Sequence, residues 1–219
     1  MENHMEEWLR LEKEIETCRR CELHRYRKKP VPGDGDKRSP VIFVGEAPGR
    51  DEDEMGKPFV GAAGKLLTQL IESMGYRREE FYITNVVKCR PPGNRDPLEE
   101  EIEACLPYLI EQIMLIRPKV IVTLGRHASR TLFNLTGLKW INMSTQHGKI
   151  YEAVIKDLRV KIIPTFHPAS ALYNPGLKKY LELDFRNVIK KAIEEVKGAQ
   201  LTERRRSLLD FAKRHGYTS

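Results

Sequence analysis

The sequence predicts an α/β fold, three layers deep, with a four-stranded parallel sheet between two layers of helices. Three observations lead there. Four apolar runs, Val41–Val44, Phe81–Val87, Lys119–Leu124 and Val160–Phe166, stand apart along the chain. Each ends in a turn that carries polar residues, and amphipathic helical patterns lie between the runs. Strands that alternate with helices pair in parallel and are covered on both faces.

Trp8, Leu11 and Ile15 have helical spacing, so a short N-terminal helix leads into Cys18. A link rich in proline, glycine and charge follows, Lys28-Lys-Pro-Val-Pro-Gly-Asp-Gly. After the first run, Leu66, Leu67, Leu70, Ile71 and Met74 share a helix face, and Gly75 is placed to end that helix. Asp96-Pro97 before three glutamates reads as an N-cap, a first-turn proline and acids matched to the helix dipole. Pro107 implies a kink or a restart in that helix. The last helix is expected from Lys178 to Val196.

A length of 219 residues corresponds to roughly one and a half domains at about 150 residues each. The reading is one domain over residues 1–198 and a basic tail over 199–219. Such a chain buries roughly 70% of its unfolded surface and needs no staple for its core. No run of about 20 apolar residues exists, which excludes a membrane-spanning helix. The first residues, Met-Glu-Asn-His-Met-Glu-Glu, lack a basic and an apolar region, so no secretory signal is expected and the location is intracellular, cytoplasmic. High Glu, Lys and Arg content with only four glutamines points to a thermophilic source.

The 38 basic and 31 acidic residues give a net charge of +7. Arg19–Arg38 holds eight Lys/Arg against three Asp/Glu, and Gly176–Ser219 holds eleven against six, so each carries +5 while the remainder sums to about −3. Two basic segments around a slightly acidic body suit a polyanionic partner.

In parallel α/β sheets the chemistry lies beyond the carboxyl ends of the strands. The residues there are Gly45-Glu46-Ala47-Pro48-Gly49, Thr84-Asn85, Gly125-Arg126-His127 and His167-Pro168. The tight turn at Gly45 lets backbone approach a ligand closely. Gly56-Lys-Pro-Phe59-Val-Gly61-Ala-Ala-Gly64-Lys65 places small residues before a helix N-terminus, suited to a phosphate, although it is not a Walker A loop. Phe59 in that loop offers a stacking platform for a base. The Asn85 amide can donate and accept along the edge of a planar base. A neutral imidazole at His167 can stabilise developing negative charge as an electrophile.

The four cysteines, Cys18 and Cys21 as C-x2-C with Cys89 and Cys105 separated by fifteen residues, form one candidate ligand set. Zinc and a 4Fe–4S cluster both accept four thiolates, and neither would leave an open position for hydrolysis.

Taken in order, C-x2-C, GEAPGRDEDEMGKPFVGAAG, ITNVVKCRPPGNRDP, the Cys105 spacing and HPASALY resemble the family 4 uracil-DNA glycosylases, over residues 15 to 190. The resemblance implies a monofunctional repair enzyme that flips uracil from single- or double-stranded DNA and hydrolyses its bond to deoxyribose, leaving an abasic site. It implies a 4Fe–4S cluster on Cys18, Cys21, Cys89 and Cys105, structural rather than catalytic. Gly45, Glu46 and Ala47 would line the uracil pocket, Phe59 would stack on the ring, and Asn85 would read its polar edge. His167 would hydrogen-bond the O2 that gains charge as uracilate leaves. Ala171 or Leu172, after His167, would fill the gap in the helix.

Two departures matter. Where the best-known glycosylases of the superfamily carry a water-activating Asp, this chain has Ala47, as is usual for family 4, leaving Glu46 and Glu52 as candidates. Their thymine-blocking aromatic is Gly49 here. A related covalent-binding type carries an Arg-Arg-Ile-His insertion after the second strand; this chain reads Lys88-Cys-Arg-Pro-Pro there.

The rival readings are an iron–sulfur redox or sensor protein that binds DNA without cleaving it, and a zinc-stapled nucleic-acid module. A monomer is expected. Leu208 and Phe211 weakly resemble a sliding-clamp motif, but Arg205 holds its glutamine position.

Overall fold

The structure, a computed structural model, describes residues 2–214, with side chains for 3–202 and 207. Its centre is four parallel strands, β2 (Val41–Gly45), β3 (Tyr82–Asn85), β4 (Val120–Leu124) and β6 (Leu158–Thr165). Two edge strands, β1 (Asp34–Gly35) and β5 (Tyr151–Ile155), pair antiparallel and complete a six-stranded sheet in the order β1-β3-β2-β4-β6-β5. The expected parallel centre is thus present, and the antiparallel edges are additions to it.

Alternation along β2 divides the core. Ile42 and Val44 face a cluster that includes Trp8, Leu11 and Ile15 of α1 (Glu2–Thr17), Leu109 and Ile113 of α4 (Glu99–Ile116), and Phe133 of α5 (Arg126–Thr136). Val41 and Phe43 face the opposite cluster, with Leu67, Leu70 and Ile71 of α3 (Ala62–Ser73) and Phe185, Ile189 and Ile193 of the C-terminal helices. Helices on both faces explain why β2 and β4 are buried at every position. Two short helices, α2 (Arg50–Met55) and α6 (Met143–Gln146), lie in the connections after β2 and before β5.

Helix α3 ends as its sequence predicts. Gly75 has φ +89°, its N–H donates to Glu72 O, and the Tyr76 N–H donates to Ile71 O, the paired bonds of a glycine stop.

The start of α4 differs from expectation. Its N-cap is Leu98, with extended backbone, and the cap acceptor is Glu101, which takes the Leu98 N–H at 2.8 Å. Glu101 is also held by both guanidinium nitrogens of Arg95, at 2.8 and 2.6 Å. Pro97 disfavours helical backbone at Asp96, and Asp96 turns away to Arg126 and His127. Pro107 lies inside an unbroken α4.

The expected single last helix is α8 (Pro175–Asp184), a π turn over Phe185–Ile189, and α9 (Lys190–Arg214), preceded by α7 (Pro168–Tyr173). Helix α9 crosses the expected boundary at residue 198. The clamp-motif side chains of Arg205, Leu208 and Phe211 lie outside the described residues. Among the described residues no helix is long and apolar enough to cross a membrane.

The chain passes from β2 to β3 on one side and returns to β4 on the other. The carboxyl ends of β2 and β4 therefore flank the point where the winding reverses, and a crevice opens there.

Candidate active site

A cavity of about 540 Å³ occupies this crevice, lined among others by Glu46, Ala47, Gly49, Phe59, Asn85, Asp96, Arg126 and His167. The residues predicted at four separate strand ends thus meet in one place.

Gly45 does not line the cavity but makes it possible. A Cβ there would lie 2.4 Å from Asn85 Oδ1 and 2.5 Å from Phe59 Cζ, so its missing side chain is the space that lets the amide and the ring approach. The Val86 and Val87 N–H groups donate to Gly45 O and Glu46 O, both at 2.9 Å, and extend the β2–β3 pairing beyond the strand ends. Asn85 is 1% exposed, and its Oδ1 is buried without a hydrogen-bond partner. An orphaned acceptor of this kind costs about 1–3 kcal/mol unless a ligand satisfies it.

Phe59 has φ +51°, the left-handed region that a side chain enters at a cost of roughly 1–2 kcal/mol. Its surroundings hold it there. Arg78 donates to Phe59 O at 2.9 Å and to Pro58 O at 2.6 Å. Glu52 accepts from Val60 N at 2.8 Å, Gly61 N at 2.9 Å and Gly49 N at 3.1 Å. A Cβ on Gly64 would meet Phe59 O at 1.8 Å, so the small residues of this loop serve backbone packing. The anion at the start of α3 is therefore the chain's own Glu52, which replaces the expected phosphate. Both Glu52 oxygens are engaged by backbone, which fits an anchor of the Phe59 loop better than a water base.

His167 faces Phe59, with ring centroids 5.6 Å apart and planes 28° apart. Its Nδ1 accepts the Ala169 N–H at 3.1 Å, which leaves the proton of the neutral ring on Nε2. Burial pushes its pKa down to about 4, so the imidazole is neutral near pH 7. Gly125, at φ +94°, lets the β4 turn pass within 2.9 Å of the His167 Cβ, measured from where its own Cβ would stand.

Glu46 lines the same cavity. A carboxylate oxygen of Glu46, one of Asp96 and a nitrogen of His127 lie within 4.8 Å of one another. His127 Nε2 is 3.1 Å from Asp96 Oδ2, and its Nδ1 is buried without a partner. Burial raises the Glu46 pKa; His127 opposes this, Asp96 adds to it, and Arg126 opposes it. Asp96 and His127 were not singled out as site residues from sequence. The only cue for His127 was its place at a strand end.

The cysteines gather elsewhere. Cys18, Cys21, Cys89 and Cys105 line a small recess with Ile15, Arg27 and Tyr108 and share no lining residue with the crevice. All four are free thiols. Arg27 donates to Cys89 Sγ at 3.0 Å, and the Lys88 backbone N–H donates to Cys105 Sγ at 3.2 Å. Donors aimed at sulfur, and a cation beside it, fit a set of thiolates.

Residues 32–196 match the family described as the uracil DNA glycosylase superfamily. The type-4 uracil-DNA glycosylase of Archaeoglobus fulgidus is 52% identical over 176 residues, covering 80% of this chain and 88% of that protein. The type-4 enzyme of Sulfurisphaera tokodaii is 50% identical over 185 residues, covering 84% of each. This chain belongs to the type-4 uracil-DNA glycosylases. The type-4 enzyme of Thermotoga maritima is 45% identical over 160 residues, covering 73% of this chain and 80% of that protein.

Two features of this glycosylase refine the sequence reading. Ala171 is 2% exposed and packed in the core, so it cannot enter a duplex, whereas Leu172 is 43% and its neighbour Tyr173 89% exposed. A Cβ at Gly49 would meet Glu52 Oε2 at 2.8 Å, so a side chain at this position would have to displace the carboxylate oxygen that now accepts the Gly49 N–H. The basic segment Arg19–Arg38 is also partly committed. Arg27 bonds Glu16 O and Cys18 O, Arg20 lies 4.5 Å over the Tyr108 ring, and Lys37 pairs with Glu12.

Proposed function

We propose that the crevice binds a uracil flipped out of DNA and that the chain hydrolyses its N-glycosidic bond. The observation that carries this reading is the orphaned Asn85 Oδ1 beside Phe59, with His167 held in the Nε2–H form. Asn85 accepts from uracil N3–H, and its amide nitrogen donates to O4. The His167 Nε2–H donates to O2, where charge develops as uracilate leaves. A neutral histidine is a suitable donor here, because it stabilises the anion without surrendering its own proton.

Glu46 orients the attacking water. Of the cavity's three carboxylates, Glu52 is held by backbone and Asp96 by Arg126 and His127, whereas the Glu46 carboxylate has no hydrogen bond or ion pair among the described residues, and it stands beside Ala47, which offers no acid. The chain is read as a glycosylase over residues 1–198 with a basic tail over 199–219, acting as an intracellular monomer on single- or double-stranded DNA. Leu172 and Tyr173 would fill the gap that flipping leaves, a reading supported by their exposure beyond His167.

The four cysteines are read as ligands of a 4Fe–4S cluster, which when bound ties the N-terminal segment to the Cys89 loop and α4. Its separation from the crevice supports a structural role. A brown protein containing iron supports the cluster, and a colourless zinc protein would overturn it.

The test of the site is single-turnover release of uracil from an oligonucleotide. His167→Ala is expected to lose about 10²–10³ in rate, the usual effect of removing one oxyanion donor. Full activity in both Asn85→Ala and His167→Ala would overturn the assignment.

A further inference from the structure

Lys88 is the buried lysine among the described residues, 1% exposed, and the chemistry above does not use it. Its Nζ donates to Asn85 O at 2.6 Å, Gln112 Oε1 at 2.7 Å and Thr84 Oγ1 at 2.8 Å. Three acceptors at hydrogen-bond distance match the three N–H groups of an ammonium. No carboxylate pairs with it among the described residues, so the group is held by oxygens alone. A buried charge without a counter-carboxylate is rare, and it persists only where its hydrogen bonds are complete.

We propose that Lys88 is a positioning residue that sets the base-reading amide of Asn85 from the cysteine-bearing loop. The inference rests on the reading of Asn85 given above. Asn85 ends β3, and its carbonyl accepts from the Lys88 ammonium. Lys88 is itself fixed at both backbone groups: its N–H reaches Cys105 Sγ at 3.2 Å, and its C=O takes the Val31 N–H at 2.8 Å. Gln112 extends the support from α4, donating to Pro32 O at 2.8 Å and lying 3.1 Å from the Tyr82 hydroxyl. One residue therefore joins the base pocket through its side chain to a cysteine of the recess and to Val31 through its backbone, and a shift of the Asn85 carbonyl would break one of the ammonium's bonds.

The experiment uses the full chain with its cysteine-bound metal in place. Lys88→Met keeps the aliphatic stem and removes the ammonium. The expected result is a single-turnover rate of uracil release lower by about tenfold to a hundredfold, the range for a small misplacement of a reacting group. Inhibition by free uracil should weaken in parallel, with metal content unchanged. In an Asn85→Ala background the same substitution should change the rate less than about twofold, because Lys88 acts through Asn85. Lys88→Gln, which retains a donor, should recover part of the loss. If Lys88→Met does not load its metal, Lys88→Gln and Gln112→Leu carry the same measurements. Wild-type rate and uracil inhibition in the metal-loaded variants, or losses that multiply with Asn85→Ala, would overturn the proposal. A wild-type rate in Asn85→Ala alone would instead refute the reading of Asn85.

Discussion

Replacing Gly45 by alanine adds one methyl group at the point where two walls of the pocket meet. The new Cβ would stand 2.4 Å from Asn85 Oδ1, 2.5 Å from Phe59 Cζ and 2.7 Å from Phe59 Cε2, whereas ordinary contact begins at 3.4 Å. Relieving the overlap requires a displacement of about 1 Å in the amide, the ring or both. Neither side chain can retreat freely. Asn85 is buried at the end of β3, and Phe59 is tied through its carbonyl to Arg78 and through the next two N–H groups to Glu52. A misplacement of about 1 Å costs on the order of 10²-fold in rate, and overpacking of this kind destabilises by about 1–3 kcal/mol. Gly45→Ala should therefore fold with a lower Tm and lose about 10²-fold in single-turnover release of uracil. Gly198→Ala is the control, because a Cβ there meets nothing within 4 Å; in mid-helix it should leave the rate unchanged and raise stability slightly. A Gly45→Ala enzyme within about twofold of wild type would refute the claim that Gly45 exists to bring Asn85 and Phe59 together.

Three further outcomes follow from the same geometry. In the proposed reaction Glu46 acts as the carboxylate, and its pKa is raised by burial, so the rate should fall as pH drops through that raised value; Glu46→Gln should be slower and should lose this acid limb in a pH–rate profile. His167 is neutral when folded, with a pKa pushed down to about 4 from 6.5, so the unfolded state binds more protons between these values. Stability should therefore decrease as pH falls from 6.5 towards 4, and Tm should show a shallower decrease for His167→Asn. Tyr173→Ala and Leu172→Ala should slow release from double-stranded DNA more than from single-stranded DNA, because only the duplex leaves a gap to fill; equal losses on both would contradict the wedge.

The parallel sheet was legible because strands covered on both faces must be apolar at successive positions, as Val41–Val44 and Val120–Leu124 are. The edge strand β5 was not, because Tyr151–Ile155 alternates between partly buried and exposed positions and has no continuous run to mark it. Gly75 was legible because a left-handed stop demands glycine locally. Asp96 misled for the opposite reason: its local pattern is that of an N-cap, but Arg126 and His127, thirty residues away in sequence, draw it to the crevice. The strand-end residues Asn85 and His167 could be found because topology alone brings strand ends together. Glu52 was a sequence candidate for handling the water, and only the three backbone N–H groups around it reveal that it anchors the Phe59 loop instead. Lys88 carried no role in the sequence reading, and only the fold shows it buried against Asn85.

The central claim is that this crevice recognises uracil through the Asn85 amide. Its most direct test is single-turnover release of free base from matched oligonucleotides carrying uracil or cytosine, with wild type and Asn85→Ala side by side. The account predicts release of uracil and not cytosine by wild type, because cytosine has no N3–H to satisfy the orphaned Oδ1, and a large loss of uracil release in the variant. Equal release of both bases by wild type, or undiminished uracil release by Asn85→Ala, would contradict it.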